Sequence, residues 1–293
     1  MSTPEDDLGA QLEGLVRQAQ ALLDWLESSG AEGLPRAAQP RPSFEPLPAT
    51  RTAAPAPERR APARAPTPAP ASAPVPSPAA AVPPIPTDRA DALARLVALE
   101  HEVRSCERCP LHQHRTHTAF ARGTPTTELV FVGEGPGAEE DAQGLPFVGA
   151  AGQLLDRMIA AMGYGRDEIY ICNVVKCRPP ANRKPTAEEI AACAPYLHEQ
   201  LALVGPQVLV ALGATAVQGL LEWDDPSGFG PSITRLRGTW KLYRGRVPLM
   251  PTFHPAYLLR SPDKKRDVWS DLQSVMRRLG KEQAGQSRGR PKG

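Results

Sequence analysis

Apolar positions recur along this chain in two periods, and the switches between them mark its elements. Leu8, Leu12, Leu15, Ala19, Leu22 and Leu26 stand three to four residues apart, with Trp25 beside them. That spacing predicts an amphipathic helix over residues 1–30. Ser2 or Thr3 before Pro4, then Glu5, Asp6 and Asp7, is a strong helix start, and Gly30 ends it. No period is readable between residues 31 and 90. From residue 91 the chain alternates. Leu93, Leu96, Leu99 and Val103 predict a helix over 91–105, and the apolar run 129–132 predicts a buried strand. Leu154, Leu155, Met158 and Ile159 place the inner face of a helix over 149–162, and 169–175 is β-branched and strand-like. Thr186-Ala187-Glu188-Glu189 forms a capping box after Pro185, opening a helix to about 204. A strand over 207–212, a short helix over 214–221 and a strand over 247–253 follow. A last helix, capped by Asp263, runs to Leu279 with Gly280 at its end.

Strands that alternate with helices imply a parallel sheet covered on both faces. The expected fold is α/β: a three-layer α-β-α domain on a central, mainly parallel four-stranded sheet. Ligands of such sheets bind beyond the strand C-terminal ends. The glycine-rich stretch 133–137, Asn173 and His254 stand at three of those ends.

Composition sharpens the domain plan. The chain has 293 residues and 34 prolines, and 17 of the prolines fall in residues 31–90. That stretch holds too little apolar surface to offset the entropy of ordering it, so it reads as a disordered Pro/Ala-rich linker. The organisation expected is a helix (1–30), a linker (31–90), one catalytic-size domain (91–280) and a basic flexible tail (281–293). No apolar run approaches the ~18 residues of a membrane span, and the acidic N-terminus does not resemble a secretory signal. A cytoplasmic protein is the expectation. The net charge of +2 is unevenly spread: −5 over 1–30, +3 over 31–90, +3 over 281–293 and +1 over 91–280. A near-neutral domain has no bulk attraction for nucleic acid, so any such binding must come from local placement.

All five cysteines, Cys106, Cys109, Cys172, Cys177 and Cys193, lie in the domain. In an unexported chain they point away from disulfides. The Cys106-x2-Cys109 pair with Cys177 and Cys193 offers four thiolates for zinc or an iron–sulfur cluster. A mixed zinc site with His112, His114 and His117 is the nearest rival, and unliganded core cysteine is the plain alternative. Cys172, in mid-strand, reads as a core residue. The segment Gly133-Glu134-Gly135-Pro136-Gly137 lacks both the GxGxxG pattern and a Walker lysine and runs into Glu139, Glu140 and Asp141, which would repel phosphate. It suits close backbone approach to a neutral ligand, or a plain turn. Phe147 sits in a rigid Pro/Gly loop, where it could stack on a flat ring or anchor the loop. A buried Asn173 must satisfy its amide, and that amide could read an imide edge or bond the backbone. A lone His254 at a strand end has a structural reading as well as a catalytic one.

Taken together these strings resemble the family 4 uracil-DNA glycosylases, the iron–sulfur branch of that superfamily. The strings are Gly133-Glu-Gly-Pro-Gly-Ala-Glu-Glu-Asp141, Gly144-Leu-Pro-Phe-Val-Gly-Ala-Ala-Gly152, Asn173-Val-Val-Lys-Cys-Arg-Pro-Pro180 and His254-Pro-Ala-Tyr-Leu-Leu-Arg260. The resemblance covers roughly residues 90–280. It implies that Cys106, Cys109, Cys177 and Cys193 hold a 4Fe–4S cluster. It assigns Glu134 and Gly135 to the first catalytic motif, Phe147 to stacking on a flipped uracil, and Asn173 to its O4/N3–H edge. Glu140 becomes a pocket wall near uracil C5, and His254 lies near O2 as the leaving group gains charge. The best-known sister family has an aspartate where Gly135 stands, so a glycine here leaves the positioning of water to backbone, Glu134 or another carboxylate. A further branch forms a covalent histidine adduct and carries a basic insert that this chain lacks, so hydrolysis is implied.

The partner implied is uracil-containing DNA, single- or double-stranded, acted on by a monomeric core. Tyr257, Leu258 and Leu259 are candidates for a wedge, and Arg260, Lys264, Lys265 and Arg266 for phosphate contacts. Arg178, Arg183 and Lys184 fall in the cysteine loop, where a cluster would shape a basic surface for DNA. The helix over 1–30, on its long tether, suits docking to a replication or repair protein, or packing on the core. Two other functions remain open on the residues alone: release of another deaminated base such as hypoxanthine, and a noncatalytic iron–sulfur DNA-binding module.

Overall fold

The computed structural model describes residues 88–221 and 232–281. The expected helix over 1–30, nearly all of the linker and all but the first residue of the basic tail lie outside the described residues.

A six-stranded sheet forms the middle layer: β1 (Arg122–Gly123), β2 (Leu129–Gly133), β3 (Tyr170–Asn173), β4 (Val208–Leu212), β5 (Lys241–Tyr243) and β6 (Val247–Thr252). Its order is β1-β3-β2-β4-β6-β5. The four inner strands run parallel, as the alternation of elements predicts. Two antiparallel edge strands bring the count to six where four were expected. At two and three residues, β1 and β5 are too short to display a period of two.

The inner strands are buried on both faces, and their alternate residues feed two cores. Val130, Val132, Tyr170, Cys172, Leu209 and Ala211 face one layer, made by α1 (Arg89–Arg104), α4 (Ala187–Val204) and α5 (Ala214–Leu221). Leu129, Phe131, Ile171, Val208, Val210 and Leu212 face the other, with α3 (Ala150–Ala161), α7 (Pro255–Arg260) and α8 (Lys265–Arg278). Cys172 is fully buried in the first core, in keeping with its reading as a core residue. The short helices α2 (Ala138–Gln143) and α6 (Ile233–Leu236) complete the set.

Caps fix several ends. Thr186 and Glu189 exchange the two bonds of the capping box at the start of α4, as its sequence predicts. Asp263 does not cap the last helix. It lies in a tight turn, Pro262–Lys264, and α8 starts at Lys265 with no side-chain cap. Proline at 262 favours that turn, and the helix starts one residue later than a cap at Asp263 would place it.

The connection leaving β2 runs toward β3, whereas β4 lies on the other side of β2. The C-terminal ends of β2 and β4 therefore flank a topological switch point, where open α/β sheets hold their ligands.

Candidate active site

Glu134, Gly135, Pro136, Gly137, Glu140, Phe147, Asn173 and His254 line one pocket of about 210 Å³ over these strand ends. Every catalytic and base-reading residue named from the sequence is thus in one place. Pro179, Asn182 and Arg183, from the loop after β3, close its side.

Glycine at 133 is required by packing. A Cβ there would stand 2.4 Å from the Phe147 ring and 2.5 Å from Asn173 Oδ1. The ring and the amide therefore press on the bare backbone at the end of β2. Asn173 ends β3 and is 1 % exposed, and among the described residues its Oδ1 has no hydrogen-bond partner. An orphaned buried acceptor is costly, of order 1–3 kcal/mol, and Asn173 lines the pocket, where a ligand N–H could satisfy it. The alternative of a side chain bonded to backbone does not describe this oxygen.

Phe147 holds a left-handed backbone conformation (φ 56°), rare for a bulky residue. Two features enforce it. A Cβ on residue 152 would overlap the Phe147 carbonyl, so Gly152 lets the loop lie on the start of α3. Glu140, in α2, clamps the rest. Its Oε2 accepts from Gly137 N at 3.0 Å, and its Oε1 accepts from Val148 N at 3.0 Å and Gly149 N at 2.9 Å. The acids after the glycine segment thus serve backbone N–H groups. Asp141 does the same for Thr116 N at 2.9 Å.

His254 caps the N-terminus of α7. Ala256 N donates to its Nδ1 at 3.1 Å, so the neutral ring carries its proton on Nε2. Burial, reinforced by the positive charge of Arg260 and opposed by Glu140, lowers its pKa to about 4. The ring stacks on Phe147 with centroids 5.5 Å apart. The site therefore offers a neutral imidazole donor beside an aromatic face.

Glu134 follows β2. Thr215, in the first turn of α5, donates to its Oε2 across the switch point, and no partner holds its Oε1 among the described residues. Thr215 was not singled out from the sequence, where a threonine in a short helix carries no distinguishing pattern.

The four candidate ligand cysteines gather on one core. Cys177 is buried, Cys106, Cys109 and Cys193 pack on the same core, and none forms a disulfide. Burial pushes the Cys109, Cys177 and Cys193 thiols up, and each also feels other cysteines of the set. Arg115 donates to Cys177 Sγ at 3.2 Å. Among the described residues no group of three or more His, Cys, Asp or Glu converges on a single metal ion. Single zinc needs donors ~2.0–2.3 Å from one point, whereas a cluster spreads its thiolates over several irons. The donor set, all sulfur and in one apolar nest, fits the cluster. His112 and His117 turn their Nδ1 atoms to the main-chain oxygens of Cys109 and Asp141.

The proposed DNA-contacting residues divide. Leu259 is 46 % exposed on α7, and Arg260 and Lys264 are exposed or nearly so. Tyr257 is half-buried against the Phe253 ring, 5.0 Å between centroids. Leu258 is fully buried in the core under α7, so it cannot serve as a wedge. Lys265 is also buried, which removes it from the phosphate contacts. Both follow from the helical turn of α7 and α8, which rotates each residue ~100° from the last. In the cysteine loop, Arg183 is bound bidentately by buried Glu189 at 2.8 and 2.6 Å, and Arg178 donates to Asn182 Oδ1 at 2.8 Å. No described helix is long and apolar enough to cross a membrane.

A family model described as the uracil DNA glycosylase superfamily matches residues 120–273. The type-4 uracil-DNA glycosylase of Thermotoga maritima is 46 % identical over 186 residues, 63 % of this chain and 94 % of that protein. The type-4 enzyme of Archaeoglobus fulgidus is 41 % identical over 187 residues, 62 % of this chain and 92 % of that protein. A type-5 enzyme of Pyrobaculum aerophilum is 32 % identical over 148 residues, 44 % of this chain and 63 % of that protein. With the pocket formed by the same motifs, these likenesses show that the chain is an enzyme of the uracil-DNA glycosylase superfamily and belongs to its type-4 group.

Proposed function

We propose that this enzyme flips uracil out of DNA and hydrolyses its N-glycosidic bond, leaving an abasic site in an unbroken strand. The observation that carries the reading is the unpartnered, buried Asn173 Oδ1 at the pocket. Uracil N3–H supplies the donor it lacks, and the Asn173 NH2 meets O4. Cytosine presents an unprotonated N3 and a donor at C4, which leaves both amide groups opposed, and such mismatches discriminate strongly. Phe147 supplies the face on which the flipped ring stacks.

As the bond breaks, negative charge gathers on uracil O2. The His254 Nε2–H meets it without giving up a proton, because a neutral imidazole is a weak acid. The sugar becomes cation-like, and the Glu134 carboxylate stabilises it. With Thr215 on Oε2, the Oε1 atom is the acceptor left to orient water toward C1′, since Gly135 has no side chain to do so. Glu140 walls the pocket near uracil C5 and holds the Phe147 loop.

Cys106, Cys109, Cys177 and Cys193 would hold a 4Fe–4S cluster. Its part is structural: it fixes the loop that carries Pro179, Asn182 and Arg183 to the pocket. Leu259 acts as the wedge, with Tyr257 beside it, and Arg260 and Lys264 contact phosphate. Residues 1–90 serve docking to a replication or repair partner, in the cytoplasm.

Asn173→Asp tests the reading. A protonated carboxyl can present a different edge, so cytosine release is expected to rise relative to uracil release. An unchanged preference in a panel of cytosine, uracil and hypoxanthine oligonucleotides would remove Asn173 from base reading.

A further inference from the structure

One buried hydroxyl serves the site without reaching its pocket. Thr215 is 2 % exposed. Among the described residues it is not part of the pocket wall, whereas Glu134 is. Its Oγ1 donates to Glu134 Oε2, from a residue 81 positions further along the chain. Hydrogen bonds to ionised groups are among the stronger ones. A glutamate side chain turns about three torsions, and one held oxygen removes most of that freedom.

The hydroxyl is presented from a fixed seat. Gly213 N donates to Thr252 O at 2.9 Å, which ties the end of β4 to the end of β6. Gly213 is left-handed (φ 91°), and a Cβ there would stand 3.3 Å from His254 Cβ, so the turn into α5 lies against the histidine. Further along α5, a Cβ on Gly219 would stand 2.6 Å from Val174 Cγ1, so the helix rests directly on the segment after β3. That segment grips the Glu134 main chain. Val175 N donates to Glu134 O at 3.1 Å, and Val174 N donates to Gly133 O at 3.0 Å. Glu134 is thus held twice: at its main chain by the segment on which α5 rests, and at its carboxylate by α5 itself.

We propose that Thr215 is a positioning residue for the hydrolytic step: by holding Oε2 it commits Oε1 to the attacking water and fixes where that water stands. The water oxygen bonds C1′, the C1′–N1 electron pair leaves with uracil, and the water proton passes to Glu134 Oε1. The inference rests on the reading that Glu134 orients the water. It gives Thr215 no part in reading the base, so loss of its hydroxyl slows bond cleavage and leaves uracil binding as it was.

The test measures single-turnover uracil release by the full chain at saturating enzyme, with inhibition by free uracil beside it. Thr215→Val keeps the shape of the side chain and removes its hydroxyl. Release is expected to slow about tenfold or more, the lower end of what a hydrogen bond to a charged group contributes, with uracil inhibition unchanged. Thr215→Ser keeps a hydroxyl and should recover most of the rate. In a Glu134→Ala background Thr215→Val should cost nothing further, because no carboxylate is left to hold. A residue that only filled space would cost the same in both backgrounds. If Thr215→Val does not fold, Thr215→Ala takes its place in the same comparison. A wild-type rate without the hydroxyl, an equal loss in both backgrounds, Thr215→Ser as slow as Thr215→Val, or weakened uracil inhibition overturns the inference. Glu134→Ala at the wild-type rate overturns the reading of Glu134 and the inference together. A slowed Glu134→Ala with an unslowed Thr215→Val overturns the inference alone.

Discussion

His254 shows how one backbone contact sets the chemistry of a side chain. By donating to Nδ1, Ala256 N–H fixes the tautomer, and burial with Arg260 nearby brings the pKa from an ordinary 6.5 to about 4. The ring is then a neutral donor across the working range of pH. The sign follows directly. Between about 4 and 6.5 the unfolded chain binds this proton and the native chain does not, so the stability this group contributes is full above 6.5 and is lost as pH falls toward 4. Single-turnover base release is expected to show no inflection near pH 6.5 attributable to His254. His254→Ala should slow that step much more than it weakens DNA binding. A pH profile that inflects near 6.5 in wild type and loses the inflection in His254→Ala would contradict the neutral-donor assignment. Asn173, Phe147, Glu134 and His254 were all legible from the sequence, because each is an unexpected residue type at a strand end or in a rigid loop. Thr215, in a short helix, carries no such mark.

At the scale of elements, α2 and the loop to α3 are one device for holding Phe147. The sequence suggests carboxylates near a neutral ligand. In the structure Glu140 spends both oxygens on three N–H groups of the loop. Glu140→Gln puts an amide NH2 where an acceptor is needed, so at least one N–H loses its partner. A loss of about 1–3 kcal/mol in stability is expected by denaturant unfolding, with slower uracil release as Phe147 leaves its left-handed conformation. Stability within ~0.5 kcal/mol of wild type would show that water replaces the clamp. The longer helices and the inner strands were readable from periodicity to within a few residues. Among the shorter elements that eluded it, α7 begins at Pro255 and holds six residues, too few for an apolar stripe. Its brevity also explains why a run of Tyr257, Leu258 and Leu259 could not be divided into buried and exposed faces beforehand. Leu259→Ala is expected to lower activity on double-stranded DNA more than on single-stranded DNA, because only the duplex must be unstacked. Equal losses on both would remove Leu259 as the wedge.

For the molecule as a whole, function comes from where a near-neutral domain places a few groups. The described domain brings residues from the ends of β2, β3 and β6 and the start of α5 to one switch point. Sheet order was beyond the sequence, since apolar runs of similar length do not say which neighbours they take. The α/β class and the ends at which the site forms were within it. The central proposal is that this assembly releases uracil by hydrolysis and leaves the strand intact. The decisive assay incubates the full chain with uracil-containing single- and double-stranded oligonucleotides and measures free base and strand length before and after alkali. Free uracil is expected, with an intact strand that breaks only on alkaline treatment and no release from matched cytosine or thymine controls. No uracil from either substrate, or strand cleavage without alkali, would contradict it.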